Sequence, residues 1–192
     1  LPAGNADGEF YKTSFSLYEE GSTLSKQMIV DEARVLIGLS EKGVQGVPAL
    51  AGPGSIRVTG KTPQTLSGEI QIKLIGLSGT SVQSIDRSSV WSEMASPDKM
   101  RFFSRVADIL HASHETGIVH RDIKPANLLI NEKAEPMVID FALALPAGSE
   151  NTQSGTPGFG RFDREVTPAL DIFSLARTVQ ATVSYDDLFD LG

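Results

Sequence analysis

Apolar and polar positions fall into distinct patterns along the chain, and these patterns predict its elements. Residues 9–19 (EFYKTSFSLYE) interleave aromatic and hydroxyl side chains as one or two strands would, closed by Gly21. From Ser25 to Ser40, the side chains of Ile29, Ala33, Leu36 and Ile37 recur at helical spacing, and Gly43 stops the helix. Glycine and proline crowd residues 43–54, which reads as a loop with a short strand at Val47–Leu50. Two more strands follow at Ser55–Gly60 and Glu69–Leu77 (EIQIKLIGL). The Gly/Ser stretch Gly76–Thr80 reads as a hinge. After Pro97 comes the clearest helix, Asp98–Glu115, with Phe102, Phe103, Val106, Ile109 and Leu110 as its buried stripe and Gly117 as its stop. Short apolar runs at Leu128–Ile130 and Met137–Ile139 flank a turn. A Gly/Ser/Thr-rich loop covers 147–160, and a last helix begins near Thr167 or Asp171. The pattern is α+β, strand-rich in front and helical behind, with no internal repeat.

Composition narrows the functions. At 192 residues the chain makes one domain or two small lobes around a cleft. With 40% hydrophobic and 21% charged residues it has the balance of a folded globular protein. A net charge of −7 removes the positive field on which nucleic-acid binding depends. The absence of cysteine excludes disulfides, thiol catalysis and thiolate zinc sites. No apolar run approaches the ~20 residues of a membrane-spanning helix. Leu1 to Phe10 have no basic residue and no apolar centre, unlike a signal peptide, and the opening Leu1 implies residues removed upstream.

The chemistry concentrates behind the long helix, in His120-Arg121-Asp122-Ile123-Lys124-Pro125-Ala126-Asn127. Asp140-Phe141-Ala142 begins thirteen residues after Asn127, and Gly155-Thr156-Pro157-Gly158-Phe159 begins fifteen after Asp140. Taken singly, Asp122 and Asp140 read as solvated loop acids and Asn127 as a turn former. Their order and spacing reverse that reading. The constellation resembles the eukaryotic-type protein kinases, whose catalytic loop runs H-R-D-x-x-x-x-N and whose metal motif is D-F-G.

The resemblance implies a minimal two-lobed kinase-like fold in a single domain: a small sheet lobe at 1–77, and a truncated helical lobe at 78–192 ending near its central helix. It implies a protein serine/threonine kinase using ATP and Mg²⁺. Asp122 would orient the acceptor hydroxyl and take its proton, and Lys124 would neutralise the γ-phosphate. Asn127 and Asp140 would ligate the metal, and Leu128 or Leu129, with Leu129 preferred, would lie under adenine. His120 and Phe141 would stack, and Asp171 would brace the catalytic loop. Lys124-Pro125 and Thr156 resemble the serine/threonine version of these loops.

Three positions depart from the family pattern. Ala142 replaces the D-F-G glycine, which costs about 1 kcal/mol if the backbone there is left-handed. Arg161-Phe162-Asp163 stands where A-P-E is usual, and the partner arginine of that glutamate would lie in helices beyond this chain. The chain also stops soon after Asp171–Ala176, which resembles the start of the central helix.

A kinase also needs a strand lysine paired with a helix glutamate. Glu32 flanks its helix's buried stripe, and Lys12, twenty residues earlier on a predicted strand, is the preferred lysine. A competing alignment takes Gly4–Lys12 as a degenerate glycine-rich loop and leaves only Lys26, on the helix of Glu32. A bland reading makes Lys12 a surface lysine. Gly60-Lys61-Thr62 lacks the glycine a P-loop needs at Ser55. His111 and His114, with no third ligand, read as a solvated or capping pair rather than zinc ligands.

Such compactness resembles the kinase-like effectors that bacterial pathogens inject into host cells, one group of which phosphorylates a host heat-shock chaperone. That resemblance implies a secreted protein in the host cytoplasm, monomeric, acting on a protein substrate and binding neither nucleic acid nor membrane. The alternatives are a bacterial cytoplasmic kinase fragment and a pseudokinase that binds without catalysis.

Overall fold

The computed structural model describes residues 10–13, 19–52, 56–59, 69–83, 90–151, 155–161 and 163–183. The front of the chain builds a four-stranded antiparallel sheet from β1 (Phe10–Thr13), β2 (Ala49–Leu50), β3 (Ile56–Thr59) and β4 (Glu69–Ile75), with α1 (Glu19–Glu41) crossing between β1 and β2. The strand β4 is central. Ile72 pairs with Lys12 on one side and Ile56 on the other, and Leu74 with Phe10 and Leu50. Thus β1 forms one edge, and β2 and β3 together form the other.

The α1 helix starts six residues before the expected Ser25, and Gly21, read as a strand stop, lies within its first turns. Its buried face is Ile29, Ala33, Leu36 and Leu39. Ile37, assigned to that face, is 42% exposed, because Leu39, three residues after Leu36, continues the stripe instead. The competing lysine, Lys26, lies in this helix with Glu32. The Gly4–Gly8 loop and Gly60-Lys61-Thr62 lie outside the described residues.

Behind the hinge, β5 (Thr80–Ser81) leads to α2 (Val90–Glu93) and α3 (Ser96–Glu115). A Cβ at Gly79, where φ is +104°, would collide with the Ile130 carbonyl, so this crossing requires glycine. Helix α2 is too short for periodicity to reveal. Its Trp91 meets Phe102 and Phe103 of α3 edge-on, with ring centroids 5.2 and 5.5 Å away. The stripe on α3 is as expected except that Ile109 is only partly buried. Short pairs follow: β6 (Ile118–Val119) with β9 (Leu145–Pro146), and β7 (Leu128–Ile130) between β5 and β8 (Pro136–Val138). The α4 helix (Pro168–Thr182) closes the fold, with Pro168 at its first turn.

One apolar cluster runs from Ile29, Leu36 and Ile72 in front to Phe102, Leu110, Leu128 and Phe141 behind. The two parts therefore share a core beneath the cleft. Phe102 is nearly fully buried at its centre. Phe102→Ala should cost about 3–5 kcal/mol, read as a lower midpoint in urea unfolding with an unchanged slope.

Candidate active site

The loop between β6 and β7 is held from below by Asp171 of α4. This carboxylate is fully buried and accepts the backbone N–H groups of His120 (2.8 Å) and Arg121 (2.7 Å). His114 of α3 lies 2.8 Å from the same carboxylate, with its side chain 9% exposed. The expectation of a solvated or capping pair therefore fails for His114, because α3 turns it inward onto Asp171; His111 is exposed. The anchored N–H groups permit an unusual backbone at Arg121, whose φ is +71°.

Asp122, the next residue, is buried among three donors. Its Oδ2 accepts from Lys124 Nζ (2.7 Å) and Asn127 Nδ2 (3.1 Å), and its Oδ1 accepts from the Thr156 hydroxyl (2.7 Å). Lys124 also donates to Thr156 Oγ1 at 2.8 Å, which closes a triangle of base, cation and hydroxyl. Asn127 Nδ2 reaches the Asp122 carbonyl as well (2.8 Å), so its carbonyl oxygen is the atom left for a cation. A cavity of about 470 Å³ opens beside Lys124, Pro125, Ala126 and Thr156. In β7, Leu128, Leu129 and Ile130 are all buried, with Leu129 facing opposite to its neighbours.

The ring of His120 lies 4.5 Å from that of Phe141. His120 Nε2 is 3.0 Å from the Ile139 carbonyl, while its Nδ1 accepts the Asp122 N–H (3.2 Å), which selects the Nε2–H tautomer. The backbone turns at Asp140 (φ +68°, ψ +69°) into a 3-10 turn, Phe141–Leu143. Ala142 sits inside that turn without a positive φ, so no glycine is needed there and the penalty attached to its Cβ does not arise in this conformation.

The front part contributes across the cleft. Lys12 Nζ lies 2.8 Å from Glu32 Oε2 and 2.6 Å from Asp140 Oδ1. Glu32 Oε1 also accepts the Phe141 N–H at 3.1 Å. Lys12 is thus neither a free surface lysine nor remote from Asp140. Burial pulls the Lys12 ammonium down, but Glu32 and Asp140 outweigh it and hold it above its ordinary value. Burial pushes Glu32 up. Burial pushes Asp140 up, but Lys12, with help from His120 and the Ala142 N–H, outweighs it and holds the carboxyl below the ordinary aspartate range. A charged, 41%-exposed carboxylate and the Asn127 oxygen suit a hard cation. Among the described residues no cluster of three or more His, Cys, Asp or Glu is placed to enclose a metal. A divalent ion here would complete its shell from phosphate and water.

Two features escaped the sequence. Asn151, a loop amide with no motif around it, is buried against Arg121. Arg161 pairs locally with Asp163 at 2.9 Å.

A family model described as the protein kinase domain matches residues 78–190. The chain is 36% identical over 83 residues to the serine/threonine-protein kinase PknK of Mycobacterium tuberculosis, covering 39% of this chain and 8% of that protein. It is 42% identical over 86 residues to the serine/threonine-protein kinase AfsK of Streptomyces griseus, covering 38% and 10%. It is 22% identical over 160 residues to the CBL-interacting protein kinase 24 of rice, covering 79% and 34%. The chain therefore spans between about a twelfth and about a third of the length of these relatives.

The depressed Asp140 sets an acid limit on the Lys12 pair. Asp140 binds its proton more weakly folded than unfolded, so its contribution is present above the ordinary value of 3.8 and fades as pH falls through the lower folded value. The stability difference between the protein and Asp140→Asn, which tolerates the same backbone, should be constant from about pH 7 to 5 and vanish in strong acid. Urea unfolding across that range measures it.

Proposed function

Because the chain belongs to the protein kinase family, we propose that it transfers the γ-phosphoryl group of ATP to a serine or threonine hydroxyl of a protein. The observation that carries this reading is Lys12. It lies outside the matched segment, yet it reaches both Glu32 and Asp140 within 3 Å. This also supports treating residues 1–77 and 78–192 as lobes of one catalytic domain.

Phosphoryl transfer needs positioning and charge neutralisation more than covalent chemistry. Glu32 fixes the Lys12 ammonium, which is protonated at physiological pH and suited to the α- and β-phosphates. Mg²⁺ would supply the remaining positive charge, held by Asp140 and the Asn127 oxygen. Asp122 accepts the proton of the acceptor hydroxyl as that oxygen bonds to the γ-phosphorus and the bond to the β-phosphate oxygen breaks to release ADP, and Lys124, 2.7 Å from Asp122, offsets charge on the transferred group. Leu129 in β7 offers an apolar surface to adenine.

The serine/threonine preference is supported by the contacts of Thr156 with Asp122 and Lys124 and by the likeness to bacterial serine/threonine-protein kinases. The finer reading, a secreted effector acting as a monomer on a host protein such as a chaperone, rests on the resemblance to injected kinases. Labelled-phosphate transfer from ATP with Mg²⁺ into host and bacterial lysates tests both levels. Phosphoserine or phosphothreonine in the products supports the activity, and labelling of host protein alone supports the effector. Predominant phosphotyrosine, or no transfer in either lysate, refutes the corresponding claim.

Asp122→Ala should lower phosphotransfer by about 10²-fold or more with ATP affinity nearly unchanged, because the lost group acts on the acceptor in the transition state. Single-turnover transfer and nucleotide titration separate the two. Lys12→Ala and Glu32→Ala should each remove most of the same interaction. The double variant should then be little slower than either single variant at saturating ATP, and additive losses would assign the pair wrongly.

A further inference from the structure

The arginine next to Asp122 donates to a neutral side-chain amide. Arg121 is 5% exposed; its Nη1 donates to the Leu143 carbonyl (3.0 Å) and its Nη2 to Asn151 Oδ1 (2.6 Å). Asn151 is itself buried and turns its other face away from Arg121. Its Nδ2 donates to the Asp163 carbonyl (2.8 Å), and its backbone N–H to the Arg164 carbonyl (2.8 Å). Around it the two limbs of the segment that follows Asp140 are tied together. Glu150 bridges Glu165, Gly148 N–H reaches the Val166 carbonyl, and Val166 N–H the Ser149 carbonyl. One amide thus joins the outgoing limb, the returning limb and the catalytic loop.

In switchable kinases this segment is ordered by a phosphorylated side chain that pairs with arginine. Here the guanidinium already holds a side-chain acceptor from that segment at a short distance. We propose that Asn151 is a positioning residue that stands in for such a phosphate, so that phosphotransfer by this chain does not require phosphorylation of its own segment. The proposal rests on the kinase reading above. Burial lowers the affinity of Arg121 for its proton, with Asp171 opposing that shift. The neutral Asn151 oxygen adds a direct hydrogen bond to the guanidinium. Arg121 and Asp122 are adjacent, so a loosened guanidinium would shift Asp122 relative to the acceptor while leaving the Lys12–Glu32 pair in place.

The test uses the whole chain, dephosphorylated with a broad phosphatase and verified by mass spectrometry. The dephosphorylated protein should keep kcat for a protein substrate within about twofold of the untreated protein. Asn151→Ala should lower kcat about ten- to a hundredfold with KM for ATP unchanged. Asn151→Asp, which offers Arg121 a carboxylate, should recover part of that loss, whereas an amide needed only for folding would be damaged equally by both changes. Limited proteolysis of Asn151→Ala, without nucleotide, should cut faster between residues 143 and 166. Loss of activity on dephosphorylation, regained on rephosphorylation, overturns the proposal but leaves the kinase reading intact. So does an Asn151→Ala protein with wild-type kcat and proteolysis. An untreated protein inactive with every substrate overturns the kinase reading and this proposal together.

Discussion

The buried carboxylate of Asp171 is the constraint on which the catalytic loop depends. Two consecutive backbone N–H groups and a histidine from another helix converge on it. A buried carboxylate without such partners is costly, by several kcal/mol for the ion alone. The same interactions make the loop rigid, because His120 and Arg121 cannot rotate without leaving that charge unsatisfied. The left-handed backbone of Arg121 is tolerated for that reason. Asp122 then follows as the next residue along a fixed backbone, already surrounded by Lys124, Asn127 and Thr156.

Across the cleft, Lys12 imposes the complementary constraint. Its ammonium lies between two carboxylates, one buried on α1 and one after β8. Glu32 Oε1 accepts the Phe141 N–H as well as the Lys12 ammonium. A movement of α1 away from the 3-10 turn would therefore break an ion pair and strand a buried acid, while also opening the apolar cluster to which Leu36 and Phe141 both belong. Polar and apolar contacts favour the same closed arrangement, so binding geometry and fold stability are coupled here.

Most of this was legible in the sequence, for identifiable reasons. Strands and helices with strong periodicity, such as Glu69–Ile75 and Ser96–Glu115, were readable because one face of each is buried. The residues from His120 to Asp140 were readable because phosphoryl-transfer chemistry restricts residue type and spacing together. The contact between Lys12 and Asp140 joins residues 128 positions apart, and no local pattern encodes such a distance. His114 was misread because its partner, Asp171, lies on a different helix, and a histidine spacing on one helix carries no sign of it. Asn151 carried no signal at all, since a loop asparagine is ordinarily a turn former. The boundary error at Gly21 has a simpler origin: glycine weakens a helix by only about 1 kcal/mol, which the rest of a 23-residue helix overcomes.

The alanine in Asp140-Phe141-Ala142 shows how conformation decides the cost of a substitution. A left-handed residue occurs in this triplet, but it is Asp140, whose residue type tolerates that region better than most. Its strained φ places the carboxylate toward Lys12 while Phe141 turns back to pack against His120, the rings tilted by 60°. The chain then relaxes into the 3-10 turn, where alanine is unstrained. A conformation that needed positive φ at position 142 would carry the Cβ penalty, so the same residue that costs nothing here disfavours the alternative. Ala142 therefore biases the motif toward the arrangement in which Asp140 faces the cleft. That is the direction in which Asn151 also acts, by holding the following segment onto Arg121 without a switchable charge.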